Sequence, residues 1–87
     1  MIFGNREIHA GQRYKHFKGR IYTVDGIARH TEIKGMVLVI YHITGKYEQG
    51  LFARPIEMFL SLTDKKKYPQ AKQKYRFQLL AKESKNG

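Results

Sequence analysis

Short runs of aromatic and β-branched residues, separated by breaks that contain glycine, dominate residues 1–60 of the chain. One such run, at residues 12–17, ends at Lys18-Gly19, and the next run begins two residues later. Glycine adopts the positive φ of a tight turn at little cost, so this spacing predicts an antiparallel hairpin. Tyr14 and His16 then lie close to the second strand of that hairpin.

The following residues continue the pattern of strand, turn and strand. Asp25-Gly26 predicts a bulge, after which the strand runs on to residue 30 in a new direction. Residues 36–41 form the most apolar run, and its side chains occupy both faces of a strand, so we expect both faces to be covered. A polar loop at residues 44–50 predicts a second hairpin, which leads into a short strand at residues 51–54.

Pro55 changes the pattern, because proline suits the first turn of a helix and disfavours helical backbone in the residue before it. We therefore predict a single 3₁₀ or α turn near residue 56, followed by a brief strand at residues 59–62. About five short antiparallel strands with a helical turn before the last indicate an all-β fold and are typical of an SH3-like small barrel over residues 11–63, although the pattern does not require the barrel to close. Residues 1–10 are then an N-terminal extension.

Residues 64–87 form a basic C-terminal arm in which two periodicities compete. Tyr75, Phe77 and Leu79 alternate with polar residues as in a half-buried strand. Ala71, Tyr75 and Leu79 instead have the spacing of one helix face. The aromatic residues at every second position favour a strand or extended arm that packs partly on the barrel. A solvated tail is the alternative.

Composition indicates one small folded domain. The chain has 87 residues, of which 41% are hydrophobic, and this is enough for a modest core. It contains no cysteine, which excludes disulfides, thiolate metal sites and cysteine nucleophiles. No apolar run approaches the ~18 residues of a membrane span. We therefore expect a cytoplasmic protein that does not contact a membrane and is monomeric by default.

The net charge of +10, from 17 Lys and Arg against 7 Asp and Glu, makes polyanions the expected partners. The excess is uneven, since residues 61–87 hold eight cations and two acids, whereas residues 1–60 hold nine cations and five acids. Such a balance restricts the partners of a protein more than it restricts the fold.

Four blocks of this chain resemble a family of small bacterial proteins, the domain of unknown function numbered 1653. The blocks are Tyr14-Lys15-His16-Phe17-Lys18-Gly19, Ala28-Arg29-His30-Thr31-Glu32, the valine-rich strand that ends at Tyr41, and Gly50-Leu51-Phe52 with Arg54-Pro55 and Phe59. The resemblance implies an SH3-like small β-barrel. It implies no reaction, because the family has no established activity.

The same blocks supply candidates for a ligand pocket, since cations, imidazoles and phenols together suit a phosphate or a carboxylate. These candidates are Tyr14, His16, Lys18, Arg29, His30 and Arg54. The alternative is that Tyr14, Phe17 and Tyr22 form the core, with both histidines hydrogen-bonded inside it or at its rim. His9 and His42 look incidental.

A second set of basic residues suits contact with a nucleic-acid backbone. It comprises Arg20, Lys65, Lys66, Lys67, Lys72, Lys74 and Arg76. Tyr68 and Tyr75 of the C-terminal arm, together with Tyr14, are available to stack on unpaired bases. The alternative is a solvated run of charge that keeps a small protein soluble.

Metal binding and catalysis have weaker support. His16, His30 and Glu32 are adequate metal ligands, but nothing fixes their spacing and no HExxH motif occurs, so we expect neither metal nor cofactor. A grouping of Thr31, His30 and Glu32 is too local for a catalytic trio. We therefore expect a non-enzymatic binding module for single-stranded RNA or DNA, or for another anionic partner. The alternatives are a domain that docks an acidic or extended peptide and a small-molecule enzyme that uses His16 and His30.

Overall fold

Seven strands, one short α-helix and one 3₁₀ turn make up the regular structure of residues 1–80, the part of the chain that the computed structural model describes. The strands are β1 (Ile2–Phe3), β2 (Arg6–Glu7), β3 (Arg13–His16), β4 (Ile21–Arg29), β5 (Val37–Ile43), β6 (Phe52–Pro55) and β7 (Phe77–Leu79). The helix α1 covers Ile56–Phe59, and the 3₁₀ turn covers Tyr47–Gln49.

Five of the strands form one antiparallel sheet in the order β6-β5-β4-β3-β7, and β1 and β2 form a separate small hairpin. The prediction of a mostly β, antiparallel fold with a helical turn near residue 56 is thereby confirmed. β6 and β7 are the outermost strands of the sheet.

The predicted hairpin is present between β3 and β4, where Tyr14 lies opposite Tyr22. Gly19 closes its turn at a φ of 108°, a conformation that side-chain-bearing residues rarely adopt. The predicted bulge is also present, because the register of β4 against β5 shifts between Val24 and Gly26 and leaves Asp25 as the extra residue. A contact of 2.7 Å between an Asp25 carboxylate oxygen and His42 Nδ1 spans this bulge.

The predicted strand at residues 59–62 is wrong. Phe59 is the last residue of α1, and the Leu60 N–H still donates to the Ile56 carbonyl, so helical backbone continues to that point. Only Leu62 makes an isolated β-bridge, with Tyr75. The fifth strand of the sheet is instead β7, which comes from the C-terminal arm and pairs with β3.

The core lies on one face of the sheet, and four of its nine residues are aromatic. Phe59 and Phe77 are stacked at its centre, with ring centroids 4.2 Å apart and an interplanar angle of 8°. In β5 the buried residues alternate, so one face of this strand is buried and the other is only half-buried, whereas we expected both to be covered. The core residues are Ile8, Tyr14, Val24, Val39, Tyr41, Ile56, Phe59, Leu60 and Phe77.

The ends of the described chain both contribute to this core. Ile8 follows β2 and is fully buried, so the N-terminal segment packs on the sheet. Phe77 of the C-terminal arm is only 1% exposed. The arm between residues 64 and 80 is therefore a strand preceded by turns, while residues 81–87 lie outside the described part. No helix within residues 1–80 is long and apolar enough to cross a membrane.

Candidate anion-binding cleft

The turn between β3 and β4 lies beside the segment that leads into β7. The Phe17 N–H donates to the Arg76 carbonyl over 3.0 Å, and Gln73 Nε2 donates to the Lys15 carbonyl over 2.8 Å. These bonds extend the β3–β7 pairing towards residue 73. As a result, the cations of the C-terminal arm come close to the aromatic-basic string that begins at Tyr14.

A polar cavity of about 240 Å³ lies between the two segments. Three cations, one imidazole and one carboxylate line it together with two aromatic rings. Its residues are His16, Phe17, Lys18, Asp64, Lys67, Tyr68 and Arg76. The Asp64 carboxylate accepts hydrogen bonds from the backbone N–H groups of Lys66 and Lys67, so its charge is partly used to hold the turn. Positive charge therefore predominates in the cavity.

A second cavity, of about 390 Å³, adjoins the first and is mainly apolar. Its lining adds Pro69, Gln70 and Ala71 to three residues that also line the polar cavity, namely Phe17, Lys67 and Tyr68. We call the two cavities together the cleft, with a polar half and an apolar half.

Tyr68 stands at the junction of the two halves. Its ring centroid is 4.8 Å from that of Phe17. The ammonium groups of Lys18 and Lys67 lie 5.1 Å and 5.7 Å from the centre of the same ring. At this range a cation–π contact is weak on an exposed surface, so both lysines can turn towards an anion.

His16 forms the inner wall of the polar half. Its Nδ1 accepts a hydrogen bond from the backbone N–H of Lys18, and its ring packs against Phe17 and Phe77 at centroid distances of 4.5 Å and 5.0 Å. Burial lowers the pKa of His16 below its usual 6.5, and the nearby charges of Arg54, Lys18 and Arg76 lower it further. The ring is therefore neutral at pH 7 and carries its proton on Nε2 as a hydrogen-bond donor.

Arg54 lines neither cavity, but its charge is one of those that lower the pKa of His16. Its Nε donates a hydrogen bond of 3.1 Å to the hydroxyl of Tyr41, and its guanidinium carbon lies 5.6 Å from the ring centre of Phe77. The side chain is half-buried and oriented by these contacts.

Arg29 and His30 are not brought to this cleft. They lie at and beyond the last residue of β4, a strand of nine residues whose other end adjoins the turn that carries Lys18. His30 has a local role, since its Nδ1 accepts hydrogen bonds of 3.0 Å from the N–H groups of Glu32 and Ile33. The predicted convergence of His16 and His30 is therefore not formed. Within residues 1–80, no three His, Cys, Asp or Glu side chains are grouped to hold a metal ion.

Tyr14 is a core residue, which was the alternative interpretation of the sequence. It is 3% exposed and packs edge-to-face on Phe59 with centroids 5.0 Å apart. Burial raises the pKa of its hydroxyl, partly offset by Arg6, and the hydroxyl donates to Gln12 Oε1 over 3.2 Å. The ring has no free face, so a stacking role for Tyr14 does not fit its position.

The remaining candidates for nucleic-acid contact differ in how firmly their side chains are held by the rest of the protein. Tyr75, proposed as a stacking residue, already has the Arg6 guanidinium 4.2 Å from its ring centre. Lys65 Nζ donates to the Ala71 carbonyl over 2.7 Å and so braces the loop that forms the apolar half. Arg20, Lys66, Lys72 and Lys74 are exposed around these elements.

Comparison with protein families decides the classification of the chain. The profile of the family described as "Protein of unknown function (DUF1653)" matches residues 12–79. The chain belongs to the DUF1653 family. No curated protein and no solved structure matches it. The resemblance seen in the sequence is confirmed, and the matched residues include every residue that lines the cleft of this DUF1653 protein.

Part of the cleft and one polar pair of this DUF1653 protein were not predicted from its sequence. Gln70 and Ala71 line the apolar half, but only the Tyr68-Pro69 pair after three lysines marks their segment in the sequence. His42 looked incidental, yet it contacts Asp25 across the bulge and packs edge-on to Tyr47 with centroids 5.0 Å apart. Asp25 at a predicted bulge was the available signal for a cross-strand partner.

Proposed function

We propose that this protein is a non-enzymatic binding module for anionic ligands, with single-stranded RNA or DNA as its ligand class. One observation carries the proposal: Lys18, Lys67 and Arg76 converge on a cavity that also presents two aromatic rings. Nucleic-acid single strands are bound by this combination, in which cations neutralise phosphates and rings stack on bases.

The charge distribution supports a polymeric anion over a small one. Exposed cations continue outwards from the cleft on both segments that form it, with Arg20 on one side and Lys66 and Lys72 on the other. A strand whose phosphate occupies the polar half would meet further cations along its path. Each such contact releases counterions and strengthens binding in low salt.

An unpaired strand fits these features better than a duplex. Proteins that recognise the base sequence of duplex DNA commonly place a helix in its major groove. The α-helix within residues 1–80 has four residues, two of them buried in the core, and is too short for that role. Concave cavities bordered by aromatic rings instead suit bases that are already unstacked.

Docking of an acidic or extended peptide is the second candidate, and the edge strand β6 favours it. β6 pairs only with β5, and Leu51 and Phe52 beside that edge are 52% and 40% exposed. An extended peptide can add a strand to such an edge. In an NMR titration, that mode would shift amides 51–54, whereas an oligonucleotide in the cleft would shift amides 16–18, 64–68 and 70–76.

We also propose that the sheet is bent into an SH3-like barrel. The contact between Arg54 on β6 and Phe77 on β7 supports this, because these are the two outermost strands of the sheet. The bulge at Asp25 supplies a bend in β4, as barrels of this size need.

Fluorescence anisotropy with a short labelled single strand, measured at several salt concentrations, tests the proposed function. We expect log K to fall linearly with log salt, by about 0.7 for each phosphate contact. Lys18→Gln, Lys67→Gln and Arg76→Gln should each weaken binding and reduce the slope. Lys34→Gln is the matched control, since Lys34 is exposed in the loop after β4. A flat salt response, or equal losses in the control, would contradict the proposal.

A further inference from the structure

The two halves of the cleft have opposite chemical characters but common walls. Three cations line the polar half, whereas Pro69 and Ala71 line only the apolar half. Phe17, Lys67 and Tyr68 border both halves, so a ligand that enters one half is in contact with the edge of the other. A ligand that fills the whole cleft therefore joins an anionic group to a mainly apolar one.

We propose that the cleft holds one unpaired nucleotide of a bound strand, with the phosphate in the polar half and the base in the apolar half. This inference rests on the proposed function and adds to it a base-binding position. It predicts that bases, as well as phosphates, contribute to affinity.

The polar half is suited to a phosphate. Lys18 and Lys67 supply two ammonium groups within reach of Tyr68, and Arg76 supplies a fork of donors that matches two phosphate oxygens. Neutral His16 offers Nε2–H as a further donor, because its Nδ1 is occupied by the Lys18 N–H. The one opposing carboxylate, Asp64, is held by two backbone N–H groups.

The apolar half is suited to a base. Its volume of about 390 Å³ falls within the range of small-ligand pockets. Phe17 and Tyr68 give it aromatic walls, and the Gln70 amide brings a donor and an acceptor that can meet the polar edge of a base. An acidic peptide would place its carboxylates in the polar half but would leave the apolar half unfilled.

Abasic oligonucleotides separate base binding from backbone binding. A single strand of sugar and phosphate without bases carries the same charges as an oligo-dT of equal length. In anisotropy titrations at one salt concentration, we expect oligo-dT to bind about 5- to 150-fold more tightly, the range of one stacked base. Equal affinities for the two strands would overturn the nucleotide site and leave the proposed function standing. Failure of both strands to bind would overturn both.

Two variants locate the base within the cleft. Ala71→Leu fills the apolar half without a change of charge, and Tyr68→Leu removes the ring while it keeps an apolar wall. Both should abolish the preference for oligo-dT over the abasic strand, while Tyr68→Phe should retain it. A preference that persists in both leucine variants would place the base elsewhere and overturn the inference.

A titration of the unaltered protein with uridine monophosphate provides a test that does not depend on the folding of a variant. In amide-resolved NMR, the nucleotide should shift residues of both halves, including 17–18 and 67–71. Inorganic phosphate should shift only the polar half, around residues 16–18 and 76. Identical shift patterns for the two ligands would also overturn the inference.

Discussion

The guanidinium carbon of Arg54 lies 5.6 Å from the ring centre of Phe77, although these residues belong to the two outermost strands of the sheet. Arg54 is fixed there by its hydrogen bond to the Tyr41 hydroxyl, on the strand that pairs with its own. The contact therefore joins sheet edges that share no backbone hydrogen bonds. The same position of Arg54 brings a positive charge near His16, which pairs with Phe77 between β3 and β7.

Replacement of Arg54 by methionine, which keeps an apolar stem but loses the charge, should lower the free energy of unfolding by about 1 to 2 kcal/mol. The loss combines a partly buried cation–π contact with a hydrogen bond to a charged group. The pKa of His16, followed by its ring protons in NMR, should rise because one of the charges that lowers it has gone. Urea unfolding gives the first quantity. An unchanged His16 pKa would contradict the placement of Arg54 beside the imidazole.

The titration of His16 should make the protein less stable in mild acid. Its folded-state pKa is lowered below the usual 6.5, so the unfolded chain binds a proton more readily than the folded one. As the pH falls through about 6.5, the free energy of unfolding therefore decreases, and it levels off below the folded-state pKa. Urea unfolding at intervals from pH 8 to pH 5 measures this slope.

Two histidine variants isolate the contribution of His16 to that slope. His16→Gln should flatten the decline, since the titrating group has gone. His9→Gln, at an exposed position before β3, should leave the decline intact. Identical pH profiles for the unaltered protein and His16→Gln would show that other groups cause the effect.

Docking of the C-terminal arm should depend on Phe77. This residue is fully buried and stacked on Phe59, so Phe77→Ala should cost about 3 to 5 kcal/mol of stability. Leu79→Ala is the matched control on the same strand, because Leu79 is 46% exposed and its truncation should change stability little. Comparable losses in the two variants, measured by urea unfolding, would contradict the observed difference in burial between Phe77 and Leu79.

The local features of this fold were predictable because the residues that cause them are adjacent in sequence. Lys18-Gly19 marks a tight turn, and Asp25-Gly26 marks a bulge, whatever the rest of the chain does. The second partner of β3, strand β7, was not predictable, since the pairing of His16 with Phe77 joins residues far apart in the chain. No short-range signal indicates which edge a strand of the arm will join.

The candidate site shows the same division between local and distant information. The basic and aromatic composition of the cleft could be seen in the sequence, but the meeting of Lys18 with Lys67 depends on where the arm docks. His30 looked like a partner of His16, yet its ring nitrogen is used by its own loop. A side chain that bonds to its neighbouring backbone has the same appearance in the sequence as one that binds a ligand.

Gly19 and Gly26 provide a direct test of the turn that carries Lys18. A Cβ at either position would meet no atom within 4 Å, so steric clash does not distinguish the two sites. Gly19 has a φ of 108°, whereas Gly26 has no positive φ. Gly19→Ala should therefore lower the free energy of unfolding by roughly 1 to 3 kcal/mol through backbone strain. Gly26→Ala should be neutral, or stabilising by up to about 1 kcal/mol, because it restricts the unfolded chain.

The turn at Gly19 also holds the Lys18 N–H on His16 Nδ1, and alanine at position 19 would strain this turn. Gly19→Ala should therefore weaken oligonucleotide binding in the anisotropy assay, and Gly26→Ala should not. Equal stabilities and equal affinities of the two variants would contradict both the turn geometry and its role in the cleft.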